Sequence, residues 1–467
     1  MIRHHCGLFG IFGSAESVQL TYQGLYAQQH RGQESAGIAS IQDGRLVYHK
    51  SMGLVADVFT RDALQKLKSH AAIGHVRYST TGASNPANAQ PIVVETSQRM
   101  IAVAHNGNLV NSATLRREVE EQGHFFPVFH TTTDTEIILY LVARSADLEK
   151  GLKQAMNQIK GAFSLLFLTP DALIAVRDPQ GYRPLVLGKK GGAWAVASET
   201  CGFDLSGIEY QRDIEPGEIL IIDKNGPRSE RFAPKKDCKP NHCVFEHVYF
   251  ARPDSRVHGD MVHEVRWKLG QQLAREFPVQ ADFVTPIPDS GLFAAMGYAE
   301  EAKLPYRMAY IRNHYVGRTF IKPSQGDRAS SVEIKLAAVK EIVKGKRVVV
   351  VDDSVIRGTT SRSRIKLLRD AGAKEVHLRV SCPPTKFPCY YGVDFPSHRE
   401  LIAADKTVEE IRKHIGVDTL GYISLDGMLS GVTGPKESYC TACWTGKYAV
   451  PPVDTMDKDK HEPPRCK

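Results

Sequence analysis

VVVVDDSVIRGTTS, residues Val348 to Ser361, is the stretch on which the fold turns. Four consecutive valines suit a strand buried on both faces of a parallel sheet. The strand ends in Asp352 and Asp353, and a Gly/Thr-rich turn at Gly358 to Ser361 opens a helix. A helix N-terminus leaves several backbone N–H groups without partners and carries partial positive charge. With the hydroxyls of Thr359, Thr360 and Ser361 beside it, it can hold a phosphate. Two carboxylates at the carboxyl end of a parallel strand stand where ligands bind in such sheets, and they can take ribose hydroxyls or hydrated Mg2+. A pair of aspartates alone would merely cap a strand; the surrounding run makes a sugar-phosphate site the better reading. No GxxxxGK run occurs here, which excludes a Walker-type loop.

Working outward, a second strand, loop and helix are written in ADFVTPIPDSGLFAAMGYAEE, Ala281 to Glu301. Its tight loop, Pro288 to Gly291, offers the N–H groups of Asp289, Ser290 and Gly291 and the Ser290 hydroxyl to a pyrophosphate. Strand, loop, helix, strand is the rhythm of parallel strands joined by crossover helices. Between the two units lies the long basic segment RNHYVGRTFIKPSQGDR, Arg312 to Arg328. An ordinary exposed loop would read the same way, but its position suggests a lid that excludes water.

The preceding half has another texture. Short apolar or alternating strands such as LVYH, AAIGHV, MIAVAH, AFSLLFL and AWAVAS are separated by Gly-rich turns, with helices expected at Ser17 to Gln29 and Asp134 to Ser145. Stacked sheets with helices outside are the expectation. Gly226 to Asn241, polar and proline-bearing, reads as a linker or an exposed connection.

At the head of this half, Cys6 leads into the apolar run GLFGIFG. If Met1 to His5 are removed as a propeptide, the Cys6 α-amine, with an ordinary pKa of about 8, can serve as base for its own thiol. A buried structural cysteine is the bland alternative. Three further segments weigh against it: QHRGQESAG (Gln29 to Gly37), GHVRYSTTG (Gly74 to Gly82) and HNGNL (His105 to Leu109).

Length and composition set the bounds. A chain of 467 residues calls for two domains, divided near residue 235, with a charged, proline-rich tail from 451 to 467 expected to be disordered. No apolar run approaches the roughly 20 residues that span a bilayer. The formal charge of +8 suits anionic substrates or nucleic acid alike, but no nucleic-acid motif is present. Nine cysteines without a secretion signal argue for reduced thiols, a metal or catalysis, and for the cytoplasm. CTACWTGKY (Cys440 to Tyr448) supplies a C-x-x-C spacing that zinc and iron–sulfur clusters both use. Two more ligands are needed, and local spacing nominates Cys238 and Cys243, which leaves zinc open.

Several of these segments resemble known families. The Asp352 run resembles the phosphoribosyl pyrophosphate (PRPP) signature of type I phosphoribosyltransferases, and the three segments behind Cys6 resemble, in order, the glutaminase motifs of the N-terminal-nucleophile amidotransferases. DPQGYRPLVLG (Asp178 to Gly188) and ASET (Ala197 to Thr200) match as well, as core loops without assigned chemistry. From Cys6 to about Val450 the chain resembles the amidophosphoribosyltransferases, in their iron–sulfur subgroup.

That resemblance implies an αββα N-terminal-nucleophile domain over 6–235, then a type I phosphoribosyltransferase domain with a parallel sheet over 236–450. It implies transfer of ammonia from glutamine to PRPP, the first committed step of purine synthesis, yielding 5-phosphoribosylamine, glutamate and pyrophosphate. Cys6 would be the nucleophile, with Asn106 and the Gly107 N–H as oxyanion hole. Arg77 would clamp the glutamine carboxylate, Asp134 its ammonium, and Arg31 and Gly32 would shape the pocket. PRPP would lie on Asp289, Ser290, Gly291, Asp352, Asp353, Ser354, Arg357, Gly358, Thr359, Thr360 and Ser361, with one Mg2+ at Ser290, Asp352 and Asp353. Tyr78 and Tyr249 would stand near the ammonia route. In the iron–sulfur subgroup the ligands fall just before ARPDS-like text and in a PCYYG-like segment. This implies one 4Fe–4S cluster on Cys243, Cys389, Cys440 and Cys443, leaving Cys201, Cys238, Cys382 and Cys466 as free thiols. A homotetramer inhibited by purine nucleotides is also implied. A non-catalytic PRPP-sensing regulator, or an amidotransferase with another acceptor such as a hexosamine phosphate, are the rival readings. The intact Cys6 set speaks against the regulator and the Asp352 loop against the other acceptor.

Overall fold

The computed structural model describes residues 6–78, 84–95, 99–121, 130–312, 336–393 and 398–454. Met1 to His5, Ser79 to Gly82 of the second glutaminase segment, and nearly all of the expected lid lie outside them.

In the first half, strand after strand is buried on both faces, so each must be covered twice. Two antiparallel sheets achieve this. One has seven strands, with Gly7–Phe12 in the middle between Ala71–Arg77 and Ala193–Ala197; the other has six, with Gly161–Leu168 between Met100–Leu109 and Leu173–Arg177. Alternation along Gly7–Phe12 shows how the layers form. Leu8 faces Leu166 and Leu173 of the other sheet, whereas Phe9 and Ile11 face outward under the helix Ser17–Ala27 with Leu25. Helices Thr135–Ala143 and Leu148–Gln158 cover the far side of the second sheet. The result is the expected four-layer αββα arrangement.

The linker reading of Gly226 to Asn241 is corrected in its first part. Gly226–Arg231 is a strand, paired with Glu218–Asp223 along its whole length. It lies at the sheet edge with much of its surface exposed, where polar residues and Pro227 are tolerated.

The second half is built on a four-stranded parallel sheet in the order Phe283–Pro286, Arg347–Asp352, Glu375–Val380, Thr419–Tyr422. Val348 to Val351 are fully buried, as their sequence demands. Helices Val262–Glu276, Leu292–Ala302, Thr359–Asp370 and Val408–Ile415 flank it. The first two approach closely through paired glycines: a Cβ on Gly270 would lie 1.9 Å from the Ala294 carbonyl oxygen, and one on Gly297 2.0 Å from that of Trp267.

Of the tail expected to be disordered, residues 451–454 are ordered, and 455–467 lie outside the described residues. The Val453 and Asp454 N–H groups donate to the Val110 carbonyl, and the Asp454 carboxylate accepts from the N–H groups of Ala113 and Thr114 at 2.6 and 3.2 Å. An anion at the start of helix Ser112–Glu121 is held by the unpaired N–H groups there, which orders residues 451–454 against the first half. Among the described residues, no helix is long and apolar enough to cross a membrane.

Candidate functional site

Three sites emerge, and the first surrounds Cys6. Strand Gly7–Phe12 pairs with Ala71–Arg77 so that Gly7 lies opposite Val76, which brings Arg77 and Tyr78 beside the cysteine. The Cys6 thiol is buried and donates to the Tyr78 carbonyl at 3.5 Å. Burial pushes that thiol up to about 11, against the pull of the nearby Arg77 guanidinium, so within an uncleaved chain it stays neutral. Arg77 is itself buried, with the carboxylates of Glu34 and Asp134 as its anionic surroundings.

Asn106 and Gly107 come from the second sheet. Asn106 is 1% exposed, and its Nδ2 donor has no hydrogen-bond partner among the described residues. A buried donor left unpaired is costly unless something else uses it, as an oxyanion would. Gly107 has φ +152°, and a Cβ there would stand 2.0 Å from the Ala162 carbonyl oxygen, so a side chain is excluded. Asp134 is fixed to the same strand by the Leu109 N–H at 2.9 Å. Asp134 acts through its charge on both Cys6 and Arg77, so its bond to Leu109 joins that group to the strand of Asn106 and Gly107. Gly32 serves packing: its Cβ would lie 2.5 Å from the Val76 carbonyl carbon.

Arg31 takes a different part from that of a pocket wall facing the substrate. Its guanidinium is 1% exposed and engaged by Glu199 and Glu246, while its Nε donates to the Cys6 carbonyl at 3.0 Å. It supports the cysteine from behind, because a buried guanidinium takes up carboxylates wherever they are offered. Sequence reasoning left Glu199 and Arg183 without a role and missed Glu246. Their signal was a charge set in apolar text, since charges are seldom fully buried unless paired.

The second site is a cleft of about 480 Å3 above the parallel sheet. Ser290, Asp352, Asp353, Ser354, Arg357, Gly358, Thr360 and Ser361 line it, joined by Tyr249 and by Arg364, which the sequence did not nominate. Gly358, at φ +75°, makes the left-handed turn that aims the N-terminus of helix Thr359–Asp370 at the cleft. Asp352 and Asp353 are 2% and 5% exposed. Burial, and then the neighbouring Asp353, push Asp352 up to about 8, with Arg364 at 3.5 Å opposing. A carboxylate pair so short of positive charge suits a divalent cation, with Ser290 on the facing wall. Asp289, Gly291 and Thr359 do not line the cleft. The Asp289 carboxylate turns outward to Arg312, and Gly291 backs onto the sheet, where a Cβ would lie 2.3 Å from the Val351 carbonyl oxygen.

The third site is a small cavity at the junction of the halves, lined by Cys243, Cys389, Cys440 and Cys443 with Arg183, Phe245 and Tyr391. Cys238 is not among them, because its Sγ lies by Arg231 and the Ala233 carbonyl. No three of the four lining sulfurs lie within 4.8 Å of one another. Four thiols lining one cavity are a donor set that zinc and iron–sulfur groups both use. Burial raises the Cys389 thiol, and the Arg183 charge and the Tyr391 N–H, 3.3 Å from its Sγ, oppose that rise. Elsewhere, His30, Glu199 and Cys201 come together, but the Glu199 oxygens are taken by His30, Arg31, Ser255 and the Arg252 N–H.

Comparison with known proteins agrees with this geometry. Residues 75–204 match a glutamine amidotransferase domain family and residues 260–418 a phosphoribosyl transferase domain family. The chain is 47% identical over 454 residues to the amidophosphoribosyltransferase of Bacillus subtilis, covering 96% of this chain and 94% of the relative. It is also 47% identical to the chloroplastic amidophosphoribosyltransferase 1 of Arabidopsis thaliana, covering 98% of this chain and 80% of that one. Among solved structures, one described as the allosteric regulatory enzyme of purine biosynthesis superposes with a TM-score of 0.91 at 46% identity, covering 97% and 98% of the two chains. Glutamine PRPP amidotransferase from B. subtilis complexed with ADP and GMP gives 0.89 at 47% identity, covering 96% and 98%.

Proposed function

The chain belongs to the amidophosphoribosyltransferases, glutamine-dependent enzymes of purine biosynthesis, and from that premise we propose how its own residues divide the work. Removal of Met1 to His5 frees the Cys6 α-amine, which takes the thiol proton as Sγ attacks the glutamine carboxamide carbon. Arg77 and Asp134 hold the two ends of the amino-acid group. The oxyanion is met by Asn106 Nδ2 and the Gly107 N–H, ammonia leaves on collapse, and water hydrolyses the thioester to glutamate.

Ammonia then attacks C1 of PRPP, whose 5-phosphate sits on the Gly358 to Ser361 turn and whose pyrophosphate faces Ser290. Asp352, Asp353 and Ser290 would hold one Mg2+ per subunit, which would neutralise charge on the departing pyrophosphate. Cys243, Cys389, Cys440 and Cys443 would hold one 4Fe–4S cluster per subunit, which would tie the junction to the C-terminal region. Tyr78 and Tyr249 stand along the ammonia route. Purine nucleotides as inhibitors, a homotetramer and a cytoplasmic location complete the reading; the B. subtilis relative complexed with ADP and GMP supports the first.

The buried, unpaired Asn106 donor, on the strand that Asp134 joins to Cys6 and Arg77, carries this assignment. It is tested by pyrophosphate release from PRPP with glutamine, then with ammonium chloride, in wild type and Cys6→Ala. The variant loses the first reaction and keeps the second; loss of both in a folded protein removes the separation of the two sites.

A further inference from the structure

Four charged side chains are buried together behind Cys6, and their pairing crosses between the halves of the chain. Arg31 Nη1 and Nη2 donate to the two oxygens of Glu246 at 3.0 and 2.9 Å. Arg183 Nη1 reaches Glu246 Oε1 at 3.2 Å, and its Nε and Nη2 donate to the Tyr391 carbonyl at 3.1 and 2.5 Å. Glu199 completes the set on Arg31. None of the four is more than 1% exposed. Arg31, Arg183 and Glu199 belong to the first half, whereas Glu246 opens the short helical turn Glu246–Phe250 of the second. Two cations and two anions therefore balance only when the second half supplies its carboxylate.

This arrangement reaches the nucleophile. A fork of two charge-assisted bonds fixes the plane of the Arg31 guanidinium. Another donor of that plane, Nε, is directed at the Cys6 carbonyl, which orients the peptide group next to the α-amine and thiol. The same second-half surface also touches the oxyanion strand. Asn108 Nδ2 donates to the Tyr390 carbonyl at 3.0 Å, and a Cβ on Gly392 would stand 2.9 Å from the Gly107 carbonyl carbon.

We propose that Glu246 is a positioning residue for the glutaminase nucleophile: through Arg31 the acceptor half sets the geometry of Cys6, and through Arg183 the same carboxylate is tied to the Tyr391 wall of the thiol cavity. The proposal rests on Cys6 being the nucleophile. Cys6→Ala tests that premise separately, since continued glutamine hydrolysis by that variant would remove the premise itself.

Glu246→Gln keeps the volume and removes the charge. In the full-length protein, glutamine-hydrolysis kcat falls on the order of 100-fold, the cost of a small misplacement at a reacting centre. The KM for glutamine and the ammonium-dependent reaction with PRPP stay within about twofold, because neither uses the Cys6 orientation. An unchanged glutamine kcat, a change confined to KM, or an equal loss in both reactions overturns the proposal. Should Glu246→Gln fail to give a cooperative melting transition, Arg31→Lys decides. It keeps a cation between Glu199 and Glu246 and removes the Nε donor, and a folded Arg31→Lys protein with wild-type glutamine kcat overturns the proposal.

Discussion

Cys243 is the direct partner of Cys440 in a two-residue parallel pairing that joins the start of the second half to its C-terminal region. The pairing sets two thiols on one wall of the cavity before any metal is bound, 197 positions apart in the chain. Cys440→Ser should cut iron and acid-labile sulfide in anaerobically purified protein by more than half and lower the melting temperature. Metal analysis and the visible spectrum check this, and a colourless wild-type protein with full activity would discard the cluster.

Asn106→Ala removes the unpaired Nδ2 donor and little else, because that atom has no partner among the described residues to leave stranded. Glutamine-dependent turnover should fall about 100-fold to 1000-fold, the usual cost of one oxyanion donor. Ammonium-dependent turnover should be unchanged. Steady-state kinetics with the two nitrogen sources checks both.

Asp353→Asn should behave in the opposite way, removing one of the paired carboxylates in the PRPP cleft. Both nitrogen sources should then lose turnover together, and the Mg2+ concentration for half-maximal rate should rise. Hydrolysis of glutamine alone should persist. Parallel assays of glutamate and pyrophosphate release distinguish the two losses.

His75 lies fully buried beneath the oxyanion strand, bonded to the His105 carbonyl at 3.1 Å. Burial lowers it to about 3, from an ordinary 6.5. The unfolded chain therefore takes up a proton below pH 6.5 that the folded one refuses. The stability tied to this group is complete above pH 6.5 and is lost as pH falls toward 3, at about 1.4 kcal/mol per pH unit. Denaturant unfolding at pH 7, 6 and 5 should show a shallower acid loss in His75→Gln than in wild type.

Asp454→Ala should cost about 1 kcal/mol, the ordinary worth of an anion on a helix start. Thermal unfolding of the full-length chain checks it.

The sequence disclosed what is local in it. The Asp352 run and the C-x-x-C at Cys440 each carry ligand-type residues within a few positions, so spacing alone pointed to phosphate and metal chemistry. The Arg31–Glu246 contact was not legible, because its members stand 215 positions apart and no local pattern marks which buried charge meets which. The polar run at Gly226–Arg231 misled for a related reason: an edge strand with an exposed face has the composition of a connection. Asp289 misled through its neighbours, since a loop that presents Ser290 inward presents the next side chain outward.

The carboxylate that completes helix Ser112–Glu121 belongs to a residue placed 341 positions after the first N–H it accepts from. During synthesis the amino-terminal half emerges and folds first. It does so with that helix start bare and with the Arg31 fork awaiting Glu246. The fork behind Cys6 closes once the start of the second half is made, and the helix start only after Asp454 has followed.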